Sequence, residues 1–247
     1  MLTAVAFVPA TPLLLPEVAS GASGELSGLR DACDRSLRTV LAGSDEAVLV
    51  GPDPVAQAPR PHGSGAVGDL LGFGVDVAVP LDPGSGGAAA DRGRLPAALT
   101  VGAWLLARTG WPGPRRAVAV PASLSPQDCR DVGRAAAADA AAVRRLALVV
   151  VGDGSARRTE KAPGSFHADA QPYDAAVAAA LAAVDTAALA ALDPAADARL
   201  LVAGRPGWQV AAAAVDAAGG DWVGDLVADE APYGVTYLVA TWRRAGA

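Results

Sequence analysis

Apolar residues recur along this chain with two different periods. Short apolar runs predict buried strands at residues 3–8, 47–51, 75–81, 117–121 and 146–151. After the first run, Leu26, Leu29, Cys33, Leu37 and Val40 return at helical spacing with Arg30, Asp34 and Arg38 between them, so this segment lays one face on a sheet. Further helices are expected at 95–108, from Pro126 to about residue 145, and over the alanine-rich segments 172–184, 186–192, 195–202 and 206–218. Ser125, Pro126 and Asp128 supply a cap, a proline at the first helical position and an acid in the first turn. The run 146–151 has no polar residue, which places it at the centre of a parallel sheet with both faces covered. Residues 222–227 and 235–242 read as an antiparallel pair around Pro232, Tyr233 and Gly234.

Strand and helix in alternation give an α/β fold: three layers, a mostly parallel central sheet flanked by helices, and an antiparallel C-terminal edge pair. A length of 247 residues suits one domain spanning 1–247. Sheets of this kind bind ligands at the carboxyl ends of their strands. The loops 9–17, 52–68 and 152–171 are therefore the places to look, with a further glycine-rich loop at 82–94.

Composition narrows the partners. Hydrophobic residues make up 52% of the chain and charged residues 19%, which excludes a disordered polymer. A net charge of -6 creates no field for nucleic acid or anionic lipid, so small-molecule or protein partners are expected, with an anionic or aromatic small molecule as the candidate ligand. Cys33 and Cys129 fall in helical segments and form no C-x-x-C pair, so reduced core thiols are expected. The apolar start lacks a basic n-region and is broken by Pro9, Pro12 and Pro16; no membrane span and a cytoplasmic location follow as expectations.

Four short motifs lie at or near the predicted ligand edge: 8–17 (VPATPLLLPE), Val50-Gly51-Pro52, Val151-Gly152-Asp153-Gly154-Ser155, and Ala231-Pro232-Tyr233-Gly234. Together they resemble the catalytic subunit of the class III extradiol ring-cleavage dioxygenases, the LigB-like family. The resemblance implies non-haem Fe(II) held by two histidines and a carboxylate, a catecholic substrate, an acid/base histidine, and pairing of subunits as a homodimer or with a small second chain. This chain departs from that pattern. Ala10 stands at the first ligand position, Asp53 at the second, and Ala156, after Ser155, at the acid/base position. Alanine neither coordinates a metal nor moves a proton, so two of the three positions are chemically silent. Glu230 lies near the carboxylate position, where a solvated hairpin residue would also lie.

The remaining candidates are few. His62 and His167 are the only histidines, and a relocated metal site could draw on them with Asp53, Asp153 or Asp169, although lone histidines in polar loops are usually solvated. Gly152 to Ser155, followed by Arg157, Arg158 and the single lysine Lys161, could form a backbone nest with basic side chains for a phosphate or carboxylate on an exposed loop. Ser155 and Ser165 lack a G-x-S-x-G elbow, which argues against a serine hydrolase. Trp104, Trp208, Trp222 and Trp242 fit core or interface positions, while Trp111 lies in a loop that could line a pocket.

The expected function is thus a LigB-like protein with a degenerate iron site and no cofactor, acting as a binding or accessory protein or with altered chemistry. Its ligand-binding candidates are Asp53, Asp153, Ser155, Arg157, Arg158, Lys161 and Tyr233. One alternative is a functional Fe(II) dioxygenase with ligands relocated to His62, His167 and Asp53. The other is a small-anion-binding module.

Overall fold

The computed structural model describes residues 1–83, 93–140, 142 and 144–246. In chain order the elements are β1 (Leu2–Val8), α1 (Pro16–Ala19), α2 (Ser27–Leu41), β2 (Glu46–Asp53), β3 (Arg60–His62), β4 (Val67–Asp69), β5 (Ala78–Pro80), α3 (Ala97–Arg108), β6 (Arg115–Pro121), α4 (Pro126–Ala140), β7 (Leu146–Val151), α5 (Ala170–Ala183), α6 (Thr186–Ala190), α7 (Pro194–Leu200), α8 (Arg205–Ala218), β8 (Trp222–Glu230) and β9 (Tyr237–Arg244). Seven strands form one sheet in the order β3-β6-β2-β7-β1-β9-β8. The middle four run parallel, and β9 and β8 add the antiparallel edge. This is the expected three-layer α/β architecture, with the all-apolar β7 at its centre.

Alternation along the strands explains the layers, because successive side chains point to opposite faces. Ala4, Ala6 and Val8 of β1 pack with Leu29, Leu37 and Leu99 of α2 and α3. Val5 and Phe7 pack on the other face with Cys129 of α4, Val177 and Leu181 of α5, and Trp208 of α8. There Phe7 meets Trp242 edge-on at 4.7 Å, an aromatic pair worth about 0.5–1.5 kcal/mol beyond its buried area. The Trp242 indole N–H donates to the carbonyl of Leu181 at 2.6 Å, which satisfies its polar end inside the core.

The cap foreseen for α4 is formed: Asp128 N–H donates to the Ser125 hydroxyl at 3.1 Å, and that hydroxyl donates to the Asp128 carboxylate at 2.6 Å. The helix ends at Ala140, earlier than residue 145. Residues 141 and 143 and most of the 82–94 loop lie outside the described residues.

Two expectations are corrected. The run 75–81 does not join the main sheet. Only Ala78–Pro80 is extended, and it pairs with β4 in a separate two-stranded sheet. β4 is held there by α3, since Gly68 approaches so closely that an added Cβ would lie 2.0 Å from the Thr100 hydroxyl oxygen. The second correction is β3, an antiparallel strand inside the segment read as a loop, paired with β6 at Arg60–Ala119, Pro61–Val118 and His62–Ala117. Pro61 is tolerated because an edge strand leaves one side unpaired. Among the described residues no helix is long and apolar enough to cross a membrane.

Candidate functional site

The carboxyl ends of the parallel strands converge on a cavity of about 610 Å³, within the usual range for a small-molecule site. Ala10 follows β1, Pro52 and Asp53 end β2, Ala122 follows β6 and Ala203 precedes α8; all five line it. The opposite wall comes from Asp69, Phe73, Arg94, Pro96, Ala97 and Ala98. Two positions at which the resemblance expects iron ligands, Ala10 and Asp53, therefore share one cavity. Ala156 is not among its lining residues.

The donor set at this cavity does not fit an iron centre of the two-histidine kind. Ala10 offers a methyl group. Asp53 is buried, with one oxygen accepting from Arg60 Nη2 at 2.9 Å and the other from the Val55 N–H at 3.1 Å. A cation is thus already supplied by the chain. Among the described residues no group of three or more His, Cys, Asp or Glu side chains is arranged to hold a metal ion. The set His62, His167 and Asp53 is not assembled. His62 is buried in β3, contrary to the expectation of a solvated loop, while His167 lies in the loop after β7, where its Nδ1 accepts from the Asp169 N–H at 3.2 Å.

Behind Ala10 lies Asp153. Its carboxylate accepts the Ala10 N–H at 2.8 Å, and burial pushes its pKa up to about 7. Burial likewise pushes the Tyr237 phenol up to about 12, against a hydrogen bond with Thr11 and with the Asp153 charge adding to the rise. Next to Asp153, Gly152 approaches α8 so closely that an added Cβ would lie 2.5 Å from the Gly204 Cα.

The basic loop is bonded into the body of the chain. Ser155 is buried, and its hydroxyl donates to the Leu200 carbonyl at 2.8 Å while accepting from the Arg157 N–H at 3.1 Å. Arg157 donates to the carbonyls of Arg199 at 2.9 Å and Ser165 at 3.3 Å. Arg158 reaches the Thr236 hydroxyl at 2.9 Å and the fully buried Asp174 carboxylate at 3.4 Å. Asp174 also accepts from the Ser155 N–H and the Thr236 hydroxyl. Both arginines are directed at the chain's own acceptors, which corrects the reading of them as exposed loop charges. Lys161 is exposed and, with Tyr233, lines a separate surface depression, where the Tyr233 hydroxyl donates to Glu25 at 2.9 Å.

Both cysteines are buried and unbridged, and burial raises both thiols, Cys129 to about 11, which makes neither a nucleophile near neutrality. Arg60, Asp69, Phe73 and Arg94 are charged or aromatic cavity residues that the sequence did not single out. Two positions offered a signal: Arg60, seven residues beyond Asp53 in a suspect loop, and Arg94, at the end of the glycine-rich 82–94 loop.

No family model matches this chain, and no curated protein does. Among solved structures it is similar to the uncharacterized protein JW3007 from Escherichia coli K12, with a TM-score of 0.57 and 14% identity over 98% of this chain and 99% of that one. At that identity the likeness shows the fold.

Proposed function

We propose that this chain is a protein of the class III extradiol dioxygenase, LigB-like kind whose iron site has degenerated and whose remaining pocket binds a small molecule. It serves as a binding or accessory protein, or as an enzyme of altered chemistry. The observation that carries this reading is the cavity shared by Ala10 and Asp53, in which an Asp53–Arg60 ion pair stands where a metal would need a free ligand. The net charge of -6 argues against a nucleic-acid partner, and two unbridged thiols favour a reducing, cytoplasmic setting.

The test is metal retention and oxygen uptake. Protein prepared anaerobically, loaded with Fe(II), Mn(II) or Zn(II) and desalted should keep far less than one metal per chain. It should consume no oxygen with catechol or protocatechuate. Stoichiometric metal that is lost in His62→Ala or His167→Ala, or robust turnover by loaded protein, would overturn the reading in favour of a dioxygenase with relocated ligands.

A further inference from the structure

We infer that the edge of the sheet opposite the cavity carries a second, separate site, a pocket of about 230 Å³ in which Arg145 and Arg243 hold the phosphate group of a small soluble ester. It goes beyond the reading of the cavity and does not depend on it.

The pocket lies at the amino ends of the parallel strands. Ala4 of β1, Arg145 just before β7 and Arg243 near the end of β9 meet there beneath Val40 and Gly43 at the end of α2. Among the described residues that line it, none is acidic. Strand alternation sorts the two arginines that end β9. Tyr237 and Val239 pack with α2 and α3, whereas Leu238, Ala240 and Trp242 pack on the other face. Arg243 therefore falls on the α2 side and Arg244 on the α8 side, where its Nη1 donates to the Ala218 carbonyl at 3.4 Å.

The two arginines that face the pocket have donors to spare. Among the described residues no hydrogen bond or ion pair engages the exposed Arg243 side chain. Arg145 is half-exposed and bonded to Asp45 at 2.8 and 3.3 Å, which uses two of its five N–H donors. A carboxylate has two oxygens and is satisfied by one guanidinium fork. A phosphate group has three terminal oxygens and up to two charges, which suits guanidiniums arriving from two separate segments of the chain.

The negative pole at the end of α2 opposes an anion, but its last carbonyls are already taken. That of Arg38 accepts from the Ala42 N–H, that of Val40 from the Ser44 hydroxyl, and that of Leu41 from the Ser44 N–H. Two full cations outweigh what remains. The buried Ala4 and Val40 give the pocket an apolar floor on which a short organic group can rest. The net charge of -6 repels an anionic bilayer, which favours a soluble ester over a lipid headgroup.

The experiment titrates the full chain calorimetrically, at low ionic strength, with glycerol 3-phosphate, inorganic phosphate, acetate and glycerol. The same protein is sedimented with phosphatidylcholine vesicles containing phosphatidate. Both phosphates should bind with dissociation constants below about 1 mM and at least tenfold more tightly than acetate, glycerol should not bind, and the vesicles should leave the protein in solution. Arg243→Ala removes an exposed side chain and should weaken glycerol 3-phosphate at least tenfold. Gly43→Asp brings an acid to the pocket at a position where an added Cβ meets nothing within 4 Å, and should weaken it as much. Arg134→Ala, an exposed arginine of α4, is the control and should change nothing. No binding of either phosphate up to about 10 mM, acetate as good as phosphate, unchanged affinity in Arg243→Ala or Gly43→Asp, an equal loss in Arg134→Ala, or co-sedimentation with the vesicles would each overturn the inference.

Discussion

The backbone N–H of Ala10 donates to the carboxylate of Asp153 at 2.8 Å, joining the chain just beyond β1 to the chain just beyond β7. The bond fixes the floor of the cavity and places a titrating group directly behind it. Asp153 has a folded pKa raised from 3.8 to about 7, so the folded protein holds this proton more tightly than the unfolded chain does. Its contribution to stability is therefore favourable at low pH, declines as pH rises from about 4 to about 7, and stays unfavourable above that. Asp153→Asn keeps an acceptor for Ala10 and removes the charge. It should stabilise the protein by on the order of 1–2 kcal/mol at pH 8, allowing for the residue's partial exposure to water, and by less at pH 5. Denaturant titrations at the two pH values check this; a gain that is the same at both, or larger at pH 5, contradicts it.

Asp53 and Arg60 should behave as a coupled pair. Arg60→Ala leaves a buried carboxylate with only the Val55 N–H and should cost about 1–3 kcal/mol. Adding Asp53→Asn should recover part of that loss, giving a coupling energy of about 0.5–3 kcal/mol in a double-mutant cycle. Additive effects would mean that the 2.9 Å contact has no energetic weight in solution.

Arg158 and Lys161 are three residues apart in a basic loop, yet their truncations should differ. Arg158→Ala removes a cation from the buried Asp174 and is expected to lower stability by about 1–3 kcal/mol, whereas Lys161→Ala should stay within about 0.5 kcal/mol. Thermal melts of both variants decide it, and equal melting temperatures would return Arg158 to the solvated surface.

Gly152→Ala should be among the most damaging single-methyl additions. The new Cβ would meet backbone, the Gly204 Cα at 2.5 Å, so the end of β7 and the start of α8 would have to separate. Overpacking of this kind costs about 1–3 kcal/mol. Gly72→Ala, with nothing within 4 Å of the added atom, is the control; comparable losses in the two would show that the close approach is not what matters at Gly152.

The sheet was legible because its signals are local. The apolar runs of β1, β2, β6 and β7 and the helical spacing of α2 are properties of neighbouring residues, and the structure places each within a few residues of expectation. β3 was hidden because Arg60-Pro61-His62 shows no apolar alternation and owes its conformation to β6, a partner far along the chain. Residues 75–81 do alternate, but the close fit of Gly68 under Thr100 draws their neighbour β4 onto α3 and away from the sheet. At the site, the positions of Ala10 and Asp53 could be read from motifs. The far wall could not, since Phe73 and Arg94 reach the cavity only through that same small sheet and the start of α3. The internal bonds of Arg157 and Arg158 were not legible because their acceptors, Arg199, Asp174 and Thr236, lie far along the chain from the loop.

Pairing between the two ends of the chain also sets a schedule for its birth. Ala4 pairs with Arg243 and Phe7 with Ala240, so β1 is flanked by β7 on one side and by the last strand on the other. At ribosomal speeds the first strand waits on the order of ten seconds or more for that final neighbour. Through that interval the nascent polypeptide holds a half-built sheet with one open hydrogen-bonding border, the kind of surface that recruits other extended chains. Emergence of β9, and not of the parallel core, is the moment at which this border of β1 closes.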